Sequence, residues 1–405
     1  MTLEFDKKDW KELELADVIY WYQKNIPNEK QIEYGIQNYV TANHIDSDEI
    51  TFNRFSKLID GQKGPTITKH FEAGDLLLST RSVALRKASV APISGVTGEK
   101  LLVLRPKVDS ALIQELFPFL IHTNEFWKFA QNSASGSVNK FTSWTKLREF
   151  KFRLPPLTAQ KEISTLLNLL YMEIKSEEKL LKHLEVTLEA AIEEKIHGVK
   201  LLGKTISCVL EELESKEEMV FLSELGTVFK GKGIAKSEVT TEGVPCIRYG
   251  ELYTRHNRHV REITSYISQE STSKSFKLKK NDALLAGSGE TITEIGKSAV
   301  FIDNFEAYAG SDILILRPNN MDGIYFGYLL NSLLVRKQLN KLGTGATVMH
   351  IYGSDINKIK VPNKPIEEQV KIGVFLESIN DKIIQTIEKI DKSKSLLKSI
   401  INQVF

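Results

Sequence analysis

Two stretches of the chain place apolar residues at the spacing of a helix that packs on another helix. From Leu157 to His197, the positions Ile163, Leu167, Leu170, Ile174, Leu181, Leu184 and Leu188 recur at intervals of three, four and seven. That is a narrow seam of the a/d type. Glu and Lys fill the flanks, as a solvated face requires. Pro155-Pro156 precedes the stretch and Gly198 follows it, which is the usual punctuation of a helix. A shift of 209 residues, set by Gln160 and Gln369, carries the seam to Ile372, Leu376, Ile379, Ile383, Ile390 and Leu397, and carries Ile192 to Ile401. Every landing position is apolar, and Pro156 lands on Pro365. At ~1.5 Å per residue each helix is about 60 Å long. Two such helices pair most simply with each other.

The repeat reaches upstream of the helices. Leu102-Val103-Leu104-Arg105-Pro106 is echoed by Leu314-Ile315-Leu316-Arg317-Pro318, and Gly74-Asp75-Leu76-Leu77-Leu78 by Asn281-Asp282-Ala283-Leu284-Leu285. Ser135-Gly136-Ser137 matches Thr344-Gly345-Ala346, and Lys151-Phe152 matches Lys360-Val361. The period is too long for a solenoid unit, so it predicts two domains. The expected order is a globular block over 1–156, a helix over 157–198, a charged linker over 199–220, a second block over 221–364 and a second helix over 365–405. Short apolar or alternating runs predict strands at 75–80, 100–104, 299–302 and 313–316. Residues 111–131 and 321–342 carry helical spacing. The fold class is therefore α+β: two mixed blocks and an antiparallel helix pair, with an internal pseudo-two-fold repeat.

Composition narrows the function. The 405 residues are 41% hydrophobic and 26% charged, ordinary values for a soluble protein. No apolar run is long enough to span a bilayer. The first ten residues are charged and unlike a secretory signal. Cys208 and Cys246 show no metal-ligand spacing, which fits a reduced, cytoplasmic setting. The net charge of +2 is unevenly spread: residues 1–157 carry +2 and residues 221–365 carry +5, while 158–198 carry −3, 199–220 carry −2 and 366–405 are neutral. The positive charge lies in the blocks, as a polyanionic partner would need. There is no P-loop, no His-Glu-x-x-His pattern, no nucleophile elbow and no methyltransferase tetrad. His256 and His259 have no further ligand nearby in sequence, so no metal site is expected there. Gly287-Ser288-Gly289-Glu290 does not continue into a dinucleotide fingerprint. The absences favour a binding protein over an enzyme.

The whole layout resembles the specificity subunit of Type I restriction–modification systems. Pro155-Pro156-Leu157-Thr158-Ala159-Gln160 and Pro365-Ile366-Glu367-Glu368-Gln369 look like that family's helix-start motif. In the second block, Gly231-Lys232-Gly233-Ile234, the run from Gly243 to Thr254 with its Arg248-Tyr249-Gly250-Glu251 element, and Ala286 to Thr291 are especially similar. The first block departs from this pattern: it lacks Arg-Tyr-Gly and has Leu78-Ser79-Thr80-Arg81 instead, so its target preference should differ. The resemblance implies a non-catalytic subunit that reads a split double-stranded DNA target, one half-site per block. It implies two partner modification subunits that carry S-adenosylmethionine and methylate adenine, and added restriction subunits. This chain itself would bind no cofactor and meet no membrane. The paired helices would hold the blocks apart and act as a ruler, in keeping with two half-sites on one duplex.

Affinity should come from Lys and Arg on phosphates and specificity from side chains at base edges. The candidates in the first block are Lys63, Ser79, Thr80, Arg81, Arg86, Lys87, Asn139 and Lys140. In the second block they are Lys230, Lys232, Lys236, Arg248, Tyr249, Ser288, Glu290, Thr291 and His350. Arg can grip guanine with two bonds, while Ser and Thr suit either base type. For any single residue the ordinary state is a solvated charge or a satisfied turn, and Tyr249 reads as half-buried packing. Arg105 and Arg317 belong to the repeated strand and should serve the fold. The outer helix faces, with Glu177, Glu178, Lys179, Lys182 and Glu185, offer a surface for partner helices. Two other classes fit less well: a coiled-coil assembly scaffold without DNA specificity, and a nuclease or methyltransferase with unrecognised motifs.

Overall fold

The computed structural model describes residues 7–60, 64–136, 140–198, 200, 208, 211, 219–289, 291, 294–343 and 349–405. Among the candidates, Lys63, Asn139 and Glu290 lie outside these residues, as does most of the charged linker. The chain divides into two compact units, 1–178 with 388–405, and 179–387. The long helices are Leu157–His197 and Ile366–Val404, and each runs unbroken across that division.

The first unit contains β1 (Lys11–Glu14), β2 (Ile19–Tyr22), β3 (Asn38–Val40), β4 (Ser56–Lys57), β5 (Lys69–Phe71), β6 (Leu76–Ser79), β7 (Ala88–Val90), β8 (Gly95–Thr97), β9 (Leu101–Pro106) and β10 (Lys151–Leu154). They form sheets in the orders β2-β9-β6-β7 and β4-β3-β8-β5, and β1 pairs with β10. Within the second sheet β3 and β8 are parallel and the other pairs antiparallel. Strand β6 is buried along its whole length because both faces are covered. Leu76, Leu78, Leu102 and Leu104 join a core with the long helices, whereas Leu77, Leu101 and Val103 join a core facing the other sheet.

The second unit repeats this plan. It contains β11 (Met219–Phe221), β12 (Gly226–Lys230), β13 (Val244–Ile247), β14 (Arg258–Val260), β15 (Ser265–Ile267), β16 (Phe276–Lys277), β17 (Ala283–Ala286), β18 (Ser288–Gly289), β19 (Ser298–Phe301), β20 (Tyr308–Ala309), β21 (Ile313–Pro318), β22 (Met349–His350) and β23 (Lys360–Pro362). The sheet orders are β12-β21-β17-β19-β14 and β15-β13-β20-β16, with β13 and β20 parallel. Ala283, Leu285, Leu314 and Leu316 face the helices, and Leu284, Ala286, Ile313 and Ile315 face the other way. The register of β6 on β9, Leu76 against Leu104, recurs in β17 on β21, Ala283 against Leu316. Gly231 is required where β12 passes β20: a Cβ there would lie 2.0 Å from the Gly310 carbonyl oxygen.

Each unit holds the opening part of one long helix and the closing part of the other. In the first unit Ile163, Leu167, Leu170 and Ile174 pack with Leu397, Ile400, Ile401 and Val404. Lys389 bridges Glu173 and Glu177, and Lys394 bridges Glu178, so residue numbers rise on one helix as they fall on the other. In the second unit Leu181, Leu184, Leu188, Ile192 and Ile196 share a core with Ile372, Leu376, Ile379 and Ile383. The pair is antiparallel, and Ile390 is likewise buried.

Three sequence expectations are corrected. The helical spacing over 111–131 resolves into two helices, Phe117–Ile121 and Asn124–Asn132, and that over 321–342 into Gly323–Leu330 and Leu333–Leu342. The breaks fall at Thr123 and Ser332, whose hydroxyls accept from the backbone N–H of Phe126 and Val335 and so start new helices. Distant chain completes each cap. The Asn402 side-chain amide oxygen accepts from the Asn124 N–H at 2.7 Å, and the Glu193 carboxyl accepts from the Leu333 N–H at 2.6 Å. The linker also ends early, because Met219 and Val220 pair with Pro362 and Val361 in a strand. Glu177 and Glu178 are half-buried, in ion pairs with Lys389 and Lys394 of the other long helix rather than standing as free surface charges.

Candidate nucleic-acid interface

Strand β6 leaves the sheet at Ser79 and β17 leaves at Ala286. Beyond them the two units build the same backbone frame. The Thr80 N–H donates to the Lys100 carbonyl at 2.9 Å, and the Gly287 N–H donates to the Asp312 carbonyl at 2.8 Å. The Thr142 N–H donates to the Thr80 carbonyl at 2.9 Å, as the Ile351 N–H donates to the Gly287 carbonyl at 3.1 Å. Arg81 then bridges Phe141, and Ser288 bridges His350. Each frame forms one wall of an open groove. The first is lined by Thr41, Asn43, Thr97, Thr80, Arg81, Lys100 and Phe141 among others. Lys230, Asp312, Ser288, His350 and Tyr352 line the second.

The frames match while the side chains they present differ. Arg81 is exposed and lies over the Phe141 ring, 5.2 Å from its centroid. Ser288 instead meets the His350 Nδ1 at 3.0 Å. The cation Lys100 in the first frame is replaced by the anion Asp312 in the second. Among the described residues no carboxylate pairs with the Arg81 guanidinium.

The other candidates separate by what holds them. Ser79 is buried, and its hydroxyl donates to the Arg81 carbonyl, so it fixes the turn. Arg86 is clamped by Asp48, the Asn124 side chain and the His122 carbonyl. Lys87 donates to the Ala42 carbonyl. Thr80 is half-buried and donates to the Lys100 carbonyl, while Lys140 is exposed beside the bridge. In the second unit Lys230, Lys232 and Lys236 are exposed, and Lys230 reaches the groove. Thr291 is exposed, with its N–H on the Glu294 carboxylate. Arg248 and Tyr249 are half-buried on the second sheet, where Tyr249 packs edge-on to Tyr253. The Arg-Tyr-Gly-Glu element is tied down by Glu251, which accepts from the Arg248 N–H and from the hydroxyls of Thr264 and Ser265.

Phe141, Lys100, Asp312 and Tyr352 line the grooves but were not singled out by the sequence. The signal was present for Phe141, because the shift of 209 carries it to His350. The Cys246 thiol is buried, which pushes its pKa up to about 12 and leaves it protonated. Burial pushes His259 down to about 4, and its Nε2 faces the Ile324 carbonyl rather than a metal. Among the described residues no group of three His, Cys, Asp or Glu could hold a metal ion. No helix of the described residues is long and apolar enough to cross a membrane.

The sequence pattern of the Type I restriction modification DNA specificity domain matches twice, over residues 7–186 and 214–393. A protein of Methanocaldococcus jannaschii assigned as the MjaX type I restriction enzyme specificity subunit is 24% identical over 97% of this chain and 93% of its own length. Among solved structures, the S subunit of a Type I restriction-modification system from M. genitalium superposes with a TM-score of 0.61 at 14% identity, covering 100% of this chain and 99% of that one. A chain from a study of complex assembly and conformational transition of the type I R-M system gives 0.59 at 17% identity, covering 99% and 98%. At these identities the two structures speak to the fold.

Proposed function

The chain belongs to the Type I restriction modification DNA specificity family, and on that premise we propose that it reads a split DNA target, one half-site per unit. Specificity subunits are non-catalytic and bind no cofactor themselves; this one carries two target-recognition domains. The observation that carries the split-target reading is the repeated frame at Thr80–Phe141 and Gly287–His350. One backbone scaffold offers an arginine over an aromatic ring in the first unit and a serine–histidine pair in the second. A duplicated reader with unlike contents suits two unlike half-sites on one duplex.

The chain also scaffolds two modification subunits, which supply S-adenosylmethionine and methylate adenine, and restriction subunits join that complex. The outer faces of the long helices support this. Leu166 and Phe375 hold equivalent repeat positions and are 43% and 44% exposed, with Leu169, Met172 and Val374 exposed beside them. Of these, the one apolar position repeated in both helices, Leu166 and Phe375, is what a pseudo-two-fold pair offers to two copies of one partner; the equivalents of Leu169, Met172 and Val374 are the polar Ser378, Asp381 and Thr165.

Single-molecule mapping of methylated adenine in the host genome, with and without this gene, tests the reading. A split methylated motif should vanish on deletion. Replacing residues 221–361 with those of a relative should then change one half of the motif only. A methylome that deletion leaves intact would instead favour an assembly scaffold without DNA specificity.

A further inference from the structure

We propose that the Arg81–Phe141 pair is the guanine reader of the first half-site, and that Ser288 with His350 reads the second; this rests on the split-target function above. Arg81 is separated from the other cations of its turn by what surrounds it. Arg86 is spent on Asp48 and Lys87 on a backbone carbonyl, whereas the Arg81 guanidinium meets no carboxylate among the described residues. Its backbone is fixed three ways. The bridge to Phe141 holds it, the Ser79 hydroxyl donates to its carbonyl, and the next residue's N–H donates to the Lys140 carbonyl at 3.1 Å. Ser82 follows at φ 49°, a left-handed conformation that a non-glycine residue adopts at a cost and that turns the chain sharply after Arg81.

The side chain is thus oriented before it meets DNA. The guanidinium carbon lies 5.2 Å from the Phe141 ring centroid, a cation–π contact, and among the described residues no carboxylate pairs with the guanidinium. A planar fork of donors fits O6 and N7 of guanine in the major groove. Lys100 beside it adds positive charge, which suits an acceptor-rich base edge. In the second unit the equivalent positions hold a hydroxyl, an imidazole and the Asp312 carboxylate. That set contains acceptors, so it suits a base edge that presents an amino group, adenine or cytosine.

The test uses the full chain co-expressed with its modification subunits and reads the methylated motif. Arg81→Ala should relax one G·C position in one half-site, with preference there falling roughly 10- to 100-fold and the other half unchanged. Arg81→Gln replaces the guanidinium with a planar amide, and glutamine pairs with adenine, so preference at the same position should move toward A·T. Ser288→Ala should relax the opposite half-site alone. An Arg81→Ala motif identical to wild type, or relaxation spread over both halves, overturns the proposal. Loss of all methylation by both Arg81 variants also overturns it, since the residue would then serve folding. A wild-type complex that methylates no split motif sinks the specificity reading itself, a result distinct from all of these.

Discussion

Arg105 grips Asp75 through two hydrogen bonds of 2.5 and 2.8 Å, and Arg317 grips Asp282 in the same way at 2.8 and 2.7 Å. Each aspartate also accepts the N–H three residues before it, from Glu72 at 2.7 Å and from Lys279 at 2.8 Å. Each guanidinium lies over an aromatic ring, Tyr22 in one unit and Phe229 in the other. The repeated Leu-x-Leu-Arg-Pro element therefore pins β9 and β21 to the turns that launch β6 and β17. Those turns set the direction of the strands that lead to the candidate reading frames.

Removing one partner leaves a buried carboxylate uncompensated. Asp282 is fully buried, so Arg317→Ala should cost ~3–5 kcal/mol. Urea unfolding measures the loss, and hydrogen exchange should confine it to the second unit. Stability within ~0.5 kcal/mol of wild type would show that the pin contributes nothing.

The glutamines of the helix-start motif act as latches. The Gln369 amide donates to the Lys364 carbonyl at 2.8 Å, and its oxygen accepts from the Asp322 N–H at 3.0 Å. Gln160 makes the matching bonds to Pro155, Ala111 and Ile113. Both are buried, so Gln369→Leu strands backbone polar groups and should cost ~1–3 kcal/mol. Faster amide exchange over 366–372 would report the freed helix start. Unchanged exchange there would refute the latch.

Glu193 and His197 make a testable prediction about pH. Burial, and secondarily the Glu189 charge, raises the Glu193 pKa to about 7 against its Leu333 hydrogen bond. Burial, then the Lys364 charge, lowers His197 to about 3. A carboxyl raised in the folded state loses stability as pH climbs from 4.5 to 7. A histidine lowered in the folded state loses stability as pH falls from 6.5 toward 3. Between 4.5 and 6.5 the two trends cancel, because folding moves one proton from His197 to Glu193 without changing the count. Glu193→Gln removes one trend only. Its stability should therefore fall more steeply than wild type as pH drops from 6.5 to 4.5, by ~1.4 kcal/mol per pH unit. Parallel pH profiles of wild type and variant would disprove the proton exchange. Asn402 in the equivalent cap shows that an amide can serve there.

The parts legible in the sequence are those written as period or repeat. The helix seam, the doubled block and the buried runs at β6 and β17 follow from apolar spacing alone. The helix breaks at Thr123 and Ser332 do not, because the apolar pattern runs through them and half of each cap arrives from Asn402 or Glu193. The turn after β6 shows the same limit. Arg81 and Arg86 are five positions apart in one basic stretch, yet Asp48 takes one and leaves the other. The pairing of Phe141 with Arg81 joins residues sixty positions apart, which no local pattern announces.

The split-target reading makes the helix pair a spacer, and its length is open to change. Both helices cross between the units without a break, and their seams are antiparallel. Seven residues inserted after Glu178 and seven after Ile387 would extend both seams by one heptad and keep the apolar face in phase. The added rise is ~10.5 Å. At ~3.4 Å per base pair that is at most about three base pairs of DNA. Methylation mapping of the double insertion should give the same two half-sites with a longer gap of unread bases. An insertion in one helix alone should abolish methylation, because its seam would then face a partner seven residues short. If the double insertion keeps the original spacing, the helices do not set the distance between half-sites, and the span must be fixed by the partner subunits.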